Sequence, residues 1–501
     1  MENIELTKPA FSHFVAHCLA RGGHINRTGF NERDTYFPSY CNPSIFWDEK
    51  DGQFLLIQRT VSYFLHASKG NYWDAWGPLH YIIAQERGRF LETRNYMGQS
   101  SDPINKGFIF FPIEMKDRVH QWEFHGLEDA RCVRWNDKLY AIGVRRDDNP
   151  HGVGRMEMCE LDENYREVKS VKLKGPNGDT QYCIKNWMPV TDCPNWFIHQ
   201  AANPTILVGV NPDTGEISSI IERPSDKKYF EGFDMPRGSS QCIPWRGDHH
   251  LCLIHTCQMW YTGNKRKFAR YLHAFIEYDK DWNIVKVSPM FSFDDMLVEI
   301  CTGMTLKDNN IYISFALQDN VSYVLETDAV TISDFLDATF DWAQYKPEDI
   351  THTVWDKNTT QEQLYNYANA LYEEGDMAGA YTWFTKSIDL FPHTYNERFM
   401  ATRCIANLGH RDDTERALWI DVIEEDRERP EGYIAMAMYH FCRNNYREAQ
   451  FFIDLAVQKS VTKKPTLCYT IEDMRKYYCA IAACGRRYNE VDITLQATKA
   501  F

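Results

Sequence analysis

The chain lacks any apolar run of eighteen or more residues, and its opening, MENIELTKPAFSHFVAHCLARGG, is too polar for a secretory leader. Neither a membrane span nor export is expected, and the sequence reads as cytoplasmic. Positive charge is also scarce: 55 Lys and Arg stand against 70 Asp and Glu, a formal net charge of −15. That balance disfavours the broad phosphate neutralisation on which nonspecific nucleic-acid binding depends, although a local basic groove survives such an average. Several catalytic signatures are missing too. Gly-x-Ser-x-Gly, a P-loop, His-Glu-x-x-His and Cys-x-x-Cys do not occur, so the chemistries those motifs serve have no local support.

What is present is ordinary globular composition, 44% hydrophobic and 25% charged over 501 residues, enough for two or three domains with a large core. Fifteen cysteines are scattered, many beside apolar residues as at Cys183, Cys252 and Cys301. They read as reduced, buried thiols. The pairs Cys252 and Cys257, and Cys479 and Cys484, lack neighbouring ligands of a zinc module, so no structural metal and no cofactor is expected.

From about Asn42 to about Leu325 short β-like runs alternate with turn residues, such as Gln53-Phe54-Leu55-Leu56-Ile57 after Lys50-Asp51-Gly52, and Ile206-Leu207-Val208-Gly209-Val210 before Asn211-Pro212-Asp213-Thr214-Gly215. One stretch echoes another: Glu160-Leu161-Asp162-Glu163-Asn164-Tyr165 resembles Glu277-Tyr278-Asp279-Lys280-Asp281-Trp282, and both read as the same hairpin. Recurrent four-stranded units over about 300 residues fit a β-propeller, whose inner strands face a central funnel. Near residue 350 the pattern changes to helical spacing. Tyr365 to Gly375 leads into Ala380 to Phe384 and Ile388, and the arrangement recurs before Pro430 and from Ala437 to Ala449, close to a tetratricopeptide period. The expected division is a propeller over 1–350 and an α-helical tetratricopeptide-like domain over 351–501, the latter for packing or partner recruitment.

The chemistry concentrates in His125-Gly126-Leu127-Glu128-Asp129-Ala130-Arg131. Two adjacent acids at the start of a propeller strand would repel each other, and one would keep a proton at neutral pH, as a general acid must. The alternative is that they pair with Arg131 and Arg134 on a solvated edge.

Gly126-Leu127-Glu128-Asp129-Ala130-Arg131 resembles the Gly-x-Glu-Asp-Pro-Arg motif of the β-mannoside phosphorylase family, five-bladed propellers that move mannose between a glycoside and phosphate. Asn42-Pro43-Ser44-Ile45 with Arg59 is similar to that family's first-blade Asn-Pro and arginine, and Lys185-Asn186-Trp187-Met188-Pro189-Val190 to its Lys-Asn-Trp segment. Arg237-Gly238-Ser239-Ser240 resembles its glycine-rich turn, and Ile311 to Asp319 its closing strand with a sugar-binding aspartate. The likeness covers about residues 40 to 330. Ala130 stands where the family has proline, and the second and third phosphate-binding basic residues have no clear counterpart. Related propellers are sugar-nucleotide-dependent mannosyltransferases. Pro430-Glu431-Gly432-Tyr433 and Tyr469 to Tyr477 look like the tetratricopeptide tail of some bacterial and viral glycosyltransferases.

The resemblance implies Asp129 as catalytic acid/base, acting through a sugar hydroxyl so that one carboxylate suffices. Arg59, Arg131 and Lys185 would stabilise a phosphate or diphosphate, with Arg237 and Glu128 beside the substrate. Asn42, Asn186 and Asp319 would hold hydroxyls, and Trp187 would stack a sugar face or lie in the core. Elsewhere, Asp279-Lys280-Asp281 reads as a turn rather than a metal site, and His249, His250 and His255 as satisfied structural histidines. Lys265-Arg266-Lys267 and Arg270, near Trp260 and Tyr261, form a basic-aromatic cluster suited to a solvated loop, a diphosphate or a nucleic-acid backbone.

The expected function is glycosyl transfer from a nucleotide sugar to a hydroxyl acceptor, a glycan or another molecule. Phosphorolysis of a mannoside is the alternative. A noncatalytic carbohydrate-binding protein that recruits a partner through its repeats, and glycosylation of hydroxylated DNA bases, are further readings.

Overall fold

The structure, a computed structural model, describes residues 14–29, 39–65, 80–82, 91–122, 124–176, 178, 183–226, 229–230, 233–261, 267–294, 298–338, 360–391, 393–408 and 413–487. The chain divides into two compact units, whose described parts are 14–338 and 360–487.

The first unit is a five-bladed β-propeller. Blade 1 runs Ser39–Asp48, Gln53–Val61, Leu91–Ser100 and Ile109–Pro112 from axis to rim, and blade 2 runs Leu127–Trp135, Lys138–Arg145, Arg155–Leu161 and Glu167–Lys172. Blade 3 is Met188–Pro189, Trp196–Gln200, Thr205–Val210 and Ile217–Arg223. Blade 4 is Arg237–Gly238 with Ile243–Pro244, then His250–Tyr261, Lys267–Tyr278 and Ile284–Val287. Blade 5 takes Glu299–Lys307, Asn310–Leu317 and Val321–Asp328 from the end of the unit, and its outer strand, His24–Thr28, from the beginning. That last pairing closes the ring with backbone hydrogen bonds between the two ends of the unit.

Five apolar clusters fill the spaces between neighbouring blades. Ile45 and Phe54 meet Tyr312 and Val324 between blades 1 and 5, and Leu55 and Ile57 meet Cys132 and Ala141 between blades 1 and 2. Val133 and Ile142 meet Phe197 and Val208, Ile198 and Leu207 meet Ile254 and Ile276, and Phe275 meets Phe315. Because inner and middle strands are covered on both faces, Ser39–Asp48 and Gln53–Val61 are buried along nearly their whole length. The outer strand Ile217–Arg223 is largely exposed, which is why strict alternation is absent near the axis and polarity rises outward.

At the axis the inner strands are tied by one amide. Gln241, fully buried, places Nε2 within hydrogen-bond distance of Ser44 Oγ (3.1 Å), Ile45 O (3.1 Å) and Cys132 O (2.8 Å), and its Oε1 accepts from Met304 N at 2.9 Å. Four blades therefore share one side chain. Beside it Gly303 leaves no room for a Cβ, which would lie 2.2 Å from Ile45 N.

The echoed hairpins are the turns between third and fourth strands. Asp162 Oδ1 accepts from Asn164 N and Arg166 N, and Asp279 Oδ1 accepts from Asp281 N and Asn283 N. Asp279 is thus a turn former held by its own backbone. Asn211 repeats the device in blade 3 by accepting from Asp213 N.

The second unit is tetratricopeptide-like: Gln361–Glu373 with Met377–Leu390, Tyr395–Asn407 with Asp413–Glu425, Pro430–Phe441 with Tyr446–Thr462, then Ile471–Arg487. Thr360 and Gln363 form a capping box at its first helix, and Gly375, at φ 83°, makes the turn into the second. Among the described residues no helix is long and apolar enough to cross a membrane. The described cysteines form no disulfide, and burial pushes thiols such as Cys301 up to about 12. Lys265 and Arg266 lie outside the described residues.

Candidate active site at the funnel mouth

Three inner strands begin with the same irregularity. Asn42, Asp129 and Asn186 adopt φ of 45°, 52° and 66°, in the left-handed region that Asn and Asp tolerate better than most residues. At the first two, the ladder to the middle strand slips by a bulge, between Cys41 and Ser44 and opposite Ile142 and Val144. Each bulge breaks the in-and-out alternation and re-aims one polar side chain. Gly126 serves the same turn: its φ is 98°, and a Cβ there would lie 2.3 Å from Thr93 O.

Asn42 meets Asp129, which is only 7% exposed. Its Oδ1 accepts from Asn42 Nδ2 at 2.6 Å and Arg59 Nη1 at 2.7 Å. Burial raises the affinity of the carboxyl for a proton, but the charges of Arg59 and Lys185, the Asn42 amide and Arg131 overcome it and hold the group below its ordinary value. Asp129 is therefore ionised at neutral pH. The expectation of a stored proton from repulsion by Glu128 is corrected, because cations govern this site. Glu128 lies between Arg59 Nη2 (3.9 Å) and Arg146 Nε (3.7 Å). Arg134, the alternative partner, is turned to the other end of the blade, where it binds Asp48 and Asp51.

The expected cations divide into two groups. Arg59 spends its guanidinium on Asp129, Glu128 and Thr93 Oγ1. Arg131 is 1% exposed and donates to the carbonyls of Ser239 (2.7 Å), Gly238 (3.3 Å) and Asp129 (3.0 Å). It is a strut between blades 2 and 4 rather than a substrate contact, and burial lowers its pKa to about 10. Lys185, exposed, and Arg237, half-buried, form no ion pair within 4 Å among the described residues. Both lie within electrostatic range of His255 and Cys257, and Lys185 also of Asp129.

Of the hydroxyl-binding candidates, Asn186 is buried with Oδ1 unpartnered among the described residues, as is Asn42 Oδ1. Asp319, half-buried at φ 51°, lies near Cys41 and Tyr271. Trp187 does not join them. At 1% exposure it packs with Val133, Trp135 and Phe197 in the core between blades 2 and 3, so a sugar has no access to its face.

His249 bonds Glu277, and His250 bonds Asp192 through Nε2 while stacking on Trp282, its Nδ1 buried without a hydrogen-bond partner among the described residues. His255 differs. It pairs across the strand with Arg237, its Nδ1 meets Ser239 Oγ at 2.7 Å, and burial, then His273, Arg237, Lys185 and Arg131 keep it neutral. The sequence reading weighed it as a phosphate- or sugar-binding histidine by resemblance and set it aside as structural; what the sequence did not show is that it stands opposite Arg237.

No family model matches this chain, and no curated protein does. Among solved structures it is similar to a β-1,2-mannobiose phosphorylase from Listeria innocua at 12% identity, covering 62% of this chain and 99% of that one with a TM-score of 0.39. It is also similar to a GDP-Man-dependent mannosyltransferase from Leishmania mexicana at 10% identity, 63% and 94% coverage and a TM-score of 0.37. A tetratricopeptide domain of yeast Sti1 matches 25% of the chain at 17% identity, covering 96% of that domain with a TM-score of 0.23. At these scores the likenesses assign no activity.

Proposed function

We propose that the propeller catalyses glycosyl transfer between a phosphate-borne sugar and a hydroxyl group. The observation that carries this reading is a buried Asp129 held ionised, with Lys185 in electrostatic range both of it and of His255, where Arg237 also bears. A sugar bound there would have Asp129 as its base and Lys185 and Arg237 as a seat for its leaving anion.

In the direction of synthesis, Asp129 accepts the proton of the acceptor hydroxyl, directly or through a sugar hydroxyl. The acceptor oxygen bonds to the anomeric carbon while the bond to the phosphate oxygen breaks. The phosphate or diphosphate leaves with the electron pair, and Lys185 and Arg237 stabilise its charge. Arg59 and Asn42 position Asp129 through their bonds to Oδ1. Asn186, Asp319 and the remaining oxygen of Asn42 hold hydroxyls. The motif resemblance favours mannose, and a nucleotide sugar is the first reading of the donor.

Phosphorolysis of a mannoside is the second reading, supported by the approach of Lys185 and Arg237 to the neutral His255, a set sufficient for inorganic phosphate. Incubation with a panel of sugar nucleotides and, separately, with sugar 1-phosphates distinguishes them. Release of nucleoside diphosphate supports transfer, and release of inorganic phosphate supports the reverse of phosphorolysis. No turnover with either panel, together with glycan binding that survives Asp129→Asn, means a noncatalytic sugar-binding protein.

A further inference from the structure

Where the inner strands of the propeller end, opposite their starts at the funnel mouth, three side chains with metal-binding donors come together, and catalysis uses none of them. Asp192 and Cys193 are adjacent in the turn between Met188–Pro189 and Trp196–Gln200, and His250 opens the strand His250–Tyr261 of the next blade. One donor atom from each, a carboxylate oxygen, the thiol sulfur and an imidazole nitrogen, lies within 4.8 Å of the other two. The histidine stands 58 positions from Asp192, so no short-range ligand spacing marks the set in the sequence. Two neighbouring blades bring it together.

The turn is fixed by backbone rather than by the three side chains themselves. Thr191 N donates to Cys242 O and Cys242 N to Pro189 O, each at 2.9 Å, which ties the turn to the inner segment of blade 4. Trp135 Nε1 donates to Val190 O at 2.9 Å, and Cys193 N donates to the same carbonyl at 3.3 Å. His250 is held from the other side. Its ring stacks on Trp282 with centroids 4.4 Å apart, and Nε2 stands 3.2 Å from both carboxylate oxygens of Asp192. One N–H cannot point well at two acceptors at once. Two donors on a tetrahedral zinc ion, by contrast, stand about 3.3 Å apart when each bond is about 2.0 Å, and about 3.5 Å apart when one of them is sulfur. The set therefore closes on an ion with side-chain movements on the order of 1 Å.

Carboxylate, thiolate and neutral imidazole are the donors that zinc takes in combination, whereas magnesium and calcium favour sites made of oxygen alone. Asp192 is exposed while Cys193 and His250 are half-buried, which leaves the ion a path in and a fourth position for water. We infer that Asp192, Cys193 and His250 form a zinc site that joins blade 3 to blade 4. On binding, the Cys193 S–H bond breaks, a Zn–S bond forms and the proton passes to solvent; Asp192 and His250 exchange their mutual contact for the ion.

The test uses the full-length chain, stripped of metal with a chelator and dialysed. Zn²⁺ added in competition with a chromophoric chelator should bind at one equivalent with an affinity of about 1 μM or tighter. Co²⁺ in its place should give the near-ultraviolet charge-transfer band of a cobalt–thiolate bond. Cys193→Ala should abolish that band. His250→Phe, which keeps a ring against Trp282, should weaken Zn²⁺ binding by at least about tenfold, the loss expected even for a partner in the outer shell. A band that survives Cys193→Ala, or Zn²⁺ binding that survives His250→Phe undiminished, places the ion elsewhere and overturns the proposal, as does the absence of the tight equivalent. The parent chain supplies a readout that needs no variant: Zn²⁺ should slow alkylation of Cys193 by iodoacetamide, followed by mass on the peptide that carries it, and an unchanged rate also overturns the site.

Discussion

Asp129 sits where burial and positive charge oppose each other, and charge prevails. The sign of the pH dependence follows. A carboxyl depressed in the folded state contributes stability above its unfolded value of about 3.9 and loses it as pH falls through the folded value, so the base stays ionised from neutrality to below about pH 4. Asp129→Asn should lower turnover by roughly two to four orders of magnitude and leave the Arg59 guanidinium buried without its closest partner, a loss on the order of 3 kcal/mol. Pairing it with Arg59→Gln should restore part of the melting temperature and none of the turnover; recovery of turnover would show that the carboxylate is structural. His273 has the same linkage sign, but it is the neutral form that the fold keeps. Burial lowers it to about 3, and neither ring nitrogen has a partner among the described residues. Below about pH 6.5 the unfolded chain takes up a proton that the folded one refuses, costing about 1.4 kcal/mol per pH unit. His273→Phe, set against Phe291 and Phe293, should raise the melting temperature and flatten its decline between pH 6.5 and 4. An unchanged acid slope would assign that decline to other groups.

At the scale of elements, the inner-strand starts do the positioning, and they show how far local sequence reaches. Glu-Asp was legible as a pair of adjacent acids, whereas Asn-Pro and Lys-Asn were reached only through the family resemblance; that all three carry an Asn or Asp at left-handed φ is visible in the structure alone. Which neighbour faces the funnel was not legible either. Trp187 follows Asn186 directly and points into the core, and Arg131, two residues after Asp129, is consumed by the carbonyls of blade 4. A one-residue change of phase at a bulge reverses inside and outside. Asn186→Gly should therefore preserve the fold while weakening substrate binding, whereas Asn186→Val should cost about 1–2 kcal/mol from strain at φ 66°. Equal melting temperatures for the two variants would mean that the strand start relaxes without cost.

For the whole molecule, closure is the decisive feature. The ring depends on His24–Thr28 completing blade 5 and on Gln241 joining four blades at the axis. Gln241→Leu leaves several buried polar groups without partners, each worth about 1–3 kcal/mol, and should lower the propeller's melting temperature sharply while the helical unit melts as before. Two coincident shifts would show that the units unfold together. Truncation before Thr351 should leave donor turnover measurable if the repeats only dock or recruit; a soluble, well-folded truncation without chemistry would give the repeats a part in catalysis.

The sequence by itself determined what repeats locally. Short apolar runs between turns, the Asp162 and Asp279 hairpins, and the helical period after residue 350 each follow from neighbours a few positions apart, where turn chemistry and spacing act. It also marked the site's acids and amides. Tertiary structure alone decided the charge state of Asp129, which depends on Arg59 and Lys185 from other blades. It also decided that Arg131 is spent on the carbonyls of blade 4 and that His255 stands opposite Arg237. Each of these is a pairing between residues distant in the chain, and no local pattern records whether a buried charge has met its partner.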